Sequence, residues 1–100
     1  MNEALDLDVP IEMKRTYLTR RSDDLATLRS ALSRRDYIRI REIGHQLSGN
    51  ARSFGFLDLE QIALRMETLS EEPREAASVA LEFEVWLKGA TALHGTQSPF

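Results

Sequence analysis

The chain has 100 residues, 42% of them apolar and 29% charged, with no cysteine and a formal net charge of −3. That length suits one compact domain with one core, the balance is globular rather than disordered, and the lack of cysteine excludes disulfides and thiolate metal sites. The acidic balance argues against a general nucleic-acid binder, and the basic pairs Lys14-Arg15, Arg20-Arg21 and Arg34-Arg35 read as solvated helix faces.

The opening MNEALDLDVP has no basic segment followed by an apolar run, so no signal peptide is expected there. No apolar run approaches the ~20 residues of a membrane span. A cytoplasmic protein is the expectation. The stretch before Pro10 leaves room for a short extra helical turn. Pro10 suits the first turn of a helix, where a missing N–H costs nothing. From there Ile11, Leu18, Leu25, Leu28 and Leu32 recur on one helical face. This helix should end near Ser33, with Arg34 to Asp36 as a short polar link and Asp36 as the next N-cap.

A second helix follows, with Tyr37, Ile40, Ile43, Gly44, Leu47, Ala51 and Phe54 on one face and Gly55 as a left-handed stop. The third begins near Asp58 and turns Leu59, Ile62, Ala63, Met66 and Leu69 inward. Ser70 to Pro73 reads as a cap-and-proline start. The fourth carries Ala76, Val79, Ala80, Phe83, Leu87 and Ala90 on a stripe, with Trp86 near its edge. From Gly95 the tail GTQSPF should fray. There is no strand pattern and no repeat. The expected fold is all-α, an antiparallel up-down-up-down four-helix bundle, forming one domain over 1–100 with its core at about 10–94.

At about 100° per residue, His45 falls well round from the buried side marked by Ile40, Leu47 and Ala51. Its neighbours on the helix surface are Arg41, Ser48, Gly49, Arg52 and the outward Ile38. The imidazole should therefore be exposed. Gly49 stands one turn after it, where any side chain would crowd the ring, although a glycine costs a helix interior about 1 kcal/mol relative to alanine. One reading is that Gly49 leaves space for another molecule to approach the histidine. The other is that His45 is an ordinary surface residue and Gly49 allows close helix packing.

The stretch HQLSGNARSFGFLDLEQIALRMETL resembles the histidine phosphotransfer (HPt) domain family. The family pattern is a His followed in fixed register by Leu, Gly, Gly, Leu and a Leu-Glu-like pair. Here these are His45, Leu47, Gly49, Gly55, Leu59 and Met66-Glu67. Upstream, YLTRRSDDLATLRSALSRRDY resembles the family's first long helix and acidic link. The fourth helix is similar only as a generic amphipathic helix. Many members have lysine three residues after the histidine, where this chain has Ser48. The lost cation could be replaced by Arg41 or Arg52, whose planar forks suit phosphate; plain solubility is the alternative reading of both.

The resemblance implies a phosphorelay intermediate of two-component signal transduction. His45 would take a phosphoryl group on Nε2 from the aspartyl phosphate of a response-regulator receiver domain and pass it to another receiver. Glu67 matches the position that orients the imidazole in relatives, a surface carboxylate being the plainer reading. Ile38, His45 and Gly49 would meet the partner. The chain has no nucleotide-binding glycine-rich loop and should have no ATP-dependent kinase activity of its own. No cofactor or metal is expected on this chain, a divalent metal being expected on the receiver. A hybrid sensor kinase is a further partner, and the domain should be a monomer. His94, at the end of the fourth helix, reads as a surface residue or one placed favourably in the helix dipole. A different class of function is a non-transferring adaptor that binds and blocks a receiver or kinase. A cofactor-binding bundle fits poorly, because the carboxylate and histidine pairs of di-metal bundles are absent.

Overall fold

The computed structural model describes residues 9–94. The extra turn expected before Pro10 and the fraying expected from Gly95 lie outside the described residues. Four helices follow one another, α1 (Ile11–Ser33), α2 (Tyr37–Asn50), α3 (Leu57–Glu67) and α4 (Pro73–His94), with a single 3-10 turn, Arg52–Phe54, between α2 and α3. No strand occurs among the described residues.

Local chemistry sets the boundaries. Pro10 stands just ahead of α1 with φ −61° and ψ 150°, and its carbonyl accepts from the N–H groups of Met13 and Lys14. At the other end of α1, the Asp36 N–H reaches back to the Ala31 carbonyl at 2.8 Å and the Arg35 N–H to Leu32 at 3.1 Å. This is a Schellman stop, and it puts Arg35 in the left-handed region at φ 55°. The Asp36 carboxylate then caps α2 by accepting from the Arg39 N–H at 3.1 Å. The same stop recurs after the 3-10 turn, where the Phe56 N–H bonds the Ala51 carbonyl and Gly55 takes φ 82°. Pro73 is the first residue of α4. The residue before it, Glu72, accepts from the Arg74 N–H at 3.2 Å, while Ser70 reaches forward to Glu75.

α1 packs on α2 and α4, and α3 packs on α2 and α4. Each helix thus touches its chain neighbours, the first closes on the last, and the result is an up-down-up-down antiparallel bundle. The side-chain pairs run in opposite directions, as antiparallel helices require. Arg15 at the start of α1 donates to the carbonyl of His94 at the end of α4, Arg41 of α2 reaches Leu69 beyond α3, and Arg65 pairs with Glu82.

The core holds Phe83, Leu18, Leu25, Leu28, Ile40 and Leu59 among its largest fully buried side chains. All five apolar residues assigned inward on and just after α3 are buried. Ile11 departs from its expected place and is 40% exposed. A stripe held at seven-residue spacing drifts about 20° per heptad on a straight helix, so Ile11 comes round to the rim. Tyr17 lies in the core instead. Its ring stacks on Phe54 at 4.3 Å between centroids, and its hydroxyl donates to Asn50 Oδ1.

Candidate functional site

The site is built where α2 meets α3. At Gly44 a Cβ would stand 2.5 Å from the Glu67 backbone nitrogen, 2.5 Å from Met66 Cβ and 2.7 Å from the Ala63 carbonyl oxygen. Two of those atoms are backbone and cannot swing aside, so only glycine permits this approach. The residues on either side of the contact, His45 on α2 and Glu67 at the end of α3, are thereby brought to hydrogen-bond distance.

His45 Nδ1 lies 2.6 Å from Glu67 Oε2, with the imidazole 75% exposed. The Ser48 hydroxyl lies 3.1 Å from the other carboxylate oxygen, Oε1, and 3.0 Å from the His45 carbonyl. The hydrogen bond from His45, then that from Ser48, hold the Glu67 carboxyl below its ordinary value. An ionised carboxylate can only accept, so Nδ1 carries the proton. In the neutral ring the lone pair is then on Nε2, the nitrogen away from Glu67.

The other candidate residues divide. Ile38 is 65% exposed and lines a shallow depression with Arg41, His45 and Glu67. Arg41 reaches its rim while donating from Nη1 to the Leu69 carbonyl at 3.1 Å. Arg52 is drawn away to Glu60, at 3.4 Å, and is not among the residues lining the depression. Gly49 lies outside it as well, and a Cβ there would meet nothing within 4 Å. Close helix packing is therefore the task of Gly44, while the space beside Gly49 is open. His94 sits apart at the far end of the bundle, its ring edge-on to Phe56 at 5.6 Å.

The sequence reading placed Gly44 on the inward face without seeing its contact. The available signal was a glycine inside a stripe of isoleucine and leucine, directly before the histidine. Arg39, Glu42 and Gln46 also line the depression and were not singled out. Periodicity marks them only as outward. Among the described residues no group of three or more His, Asp or Glu side chains is placed to hold a metal ion. No helix among them is long and apolar enough to cross a membrane.

The sequence matches the Hpt domain over residues 12–96. No curated protein matches it, and no solved structure does. A match over all four helices, on a bundle of the expected topology, establishes that this chain belongs to the Hpt domain family, the histidine phosphotransfer domains of phosphorelays.

Proposed function

We propose that this chain is a phosphorelay intermediate that carries its phosphoryl group on His45 Nε2. The donor is the aspartyl phosphate of a receiver domain, with a divalent metal held by that receiver. The Nε2 lone pair attacks phosphorus in line, the N–P bond forms, and the P–O bond breaks with its electron pair leaving on the aspartate. The Nδ1 proton stays in place. The ring becomes cationic, and the Glu67 carboxylate beside Nδ1 offsets that charge. Reversal of the same steps on a second receiver passes the group on. Such transfer asks for positioning and charge compensation more than for covalent chemistry from the protein, so a bundle can perform it on an open surface. The partners in this reading are response-regulator receivers and a hybrid sensor kinase, met by a cytoplasmic monomer without ATP-dependent kinase activity.

The observation that carries this reading is the His45–Glu67 pair, an exposed imidazole whose Nδ1 is engaged at 2.6 Å. The test is transfer from a phosphorylated receiver to the wild type and to His45→Gln. Wild type should gain acid-labile phosphate, and His45→Gln should gain none while still binding the receiver. Phosphate on His45→Gln would refute the assignment of the acceptor. Tight binding by a wild type that never gains phosphate would establish the adaptor function in its place.

A further inference from the structure

The structure gives the Ser48 hydroxyl a specific neighbour across the α2–α3 contact. The oxygen lies 3.1 Å from Glu67 Oε1, while His45 Nδ1 holds Oε2 of the same carboxylate. The two contacts come from one helix, a turn apart, and close on the two oxygens of one group reaching over from α3. The geometry points to Ser48 as a positioning residue that fixes the Glu67 carboxylate, and through it the tautomer and orientation of His45. This inference rests on the phosphorelay reading for its use, but not for its geometry.

A serine inside a helix often bonds only its own backbone, and the His45 carbonyl is within reach at 3.0 Å. The hydroxyl has one proton and must choose. An ionised carboxylate is the stronger acceptor, so the proton goes to Glu67. Without it, Oε1 has no other hydrogen bond among the described residues, and the carboxylate is held at Oε2 alone, by His45. A carboxylate held at both oxygens presents Oε2 to Nδ1 in one orientation, which favours the Nδ1–H form and keeps the lone pair on Nε2. Ser48 thus serves the ring from behind, which is a different task from that of a cation reaching toward the phosphoryl group. The arginines nearest in sequence are also engaged elsewhere, Arg41 with the Leu69 carbonyl and Arg52 with Glu60.

The test is a double-mutant cycle on Ser48→Ala and Glu67→Ala, with Ser48→Thr as the conservative variant. Ring nitrogen shifts of the unphosphorylated protein report the fraction of His45 in the Nδ1–H form, and transfer from a phosphorylated receiver is timed separately. Ser48→Ala should lower the Nδ1–H fraction and slow transfer several-fold, and Ser48→Thr should restore both. Ser48→Ala added to Glu67→Ala should change neither reading further. An unchanged tautomer in Ser48→Ala would overturn the inference. So would an equal loss of rate with and without Glu67, which would mean that position 48 acts on the helix or on the phosphoryl group directly. If the tautomer responds as expected but wild type takes no phosphate, the clamp stands and the phosphorelay reading fails.

Discussion

At Gly44 the backbone of α3 occupies the space next to a would-be Cβ, whereas at Gly49 nothing lies within 4 Å of one. The two glycines share a helix and answer to different demands. Gly44→Ala forces α2 and α3 apart against backbone atoms, so it should cost about 3 kcal/mol, the upper end of ordinary overpacking. It should also break the His45–Glu67 contact, since both residues flank the point of approach. Gly49→Ala meets no obstacle and removes a poor helix former, so it should gain about 0.5–1 kcal/mol. Denaturant unfolding of the two variants checks both signs, and equal effects would contradict the account. Nothing within the fold requires a glycine at 49, and we propose that its open space is kept clear for a partner. The pairing of His45 with Glu67 was legible in the sequence because the family motif holds the two in register. The engagement of Arg41 and Arg52 was not legible, because their partners Leu69 and Glu60 lie on or beyond another helix.

At the level of elements, α1 and the 3-10 turn end in the same hydrogen-bonded stop, one closed by Arg35 and the other by Gly55. A side chain in the left-handed region costs roughly 1–2 kcal/mol. Arg35→Gly should therefore raise stability by about 1 kcal/mol, less what glycine's freedom returns to the unfolded chain. Thermal or denaturant unfolding reads this directly, and a loss of stability would mean that the Arg35 side chain contributes more than its backbone costs. The Gly55 stop could be read from sequence because glycine advertises the conformation. The Arg35 stop could not, because nothing in Arg34-Arg35-Asp36 marks a left-handed residue. Most helix limits and inward faces were readable because each helix keeps its apolar residues at helical spacing; the exceptions are Ile11, which drifts to the rim, and α2, which ends at Asn50 and gives way to a 3-10 turn before the Gly55 stop. Tyr17 escaped that reading: its hydroxyl finds Asn50 across the bundle, so a polar-tipped ring could enter the core.

Over the whole molecule, α1 closes on α4 and the histidine is displayed where α2 packs on α3. The topology followed from four amphipathic segments and short links, whereas the spacing of α2 from α3 is a property of two helices together and shows only in the fold. The proposed reaction needs no cavity, since the imidazole is exposed on the surface and its Nδ1 is anchored to a neighbouring helix. In the proposed reaction this anchoring decides which nitrogen takes the phosphoryl group. In the proposed function Glu67 holds the proton on Nδ1, at 2.6 Å, and leaves Nε2 as the nucleophile. The direct measurement is phosphorus–nitrogen coupling in the ring-labelled, receiver-phosphorylated protein. A single phosphohistidine is expected, at His45, bonded through Nε2; phosphate on Nδ1, or on any other residue, would refute the proposed role of Glu67.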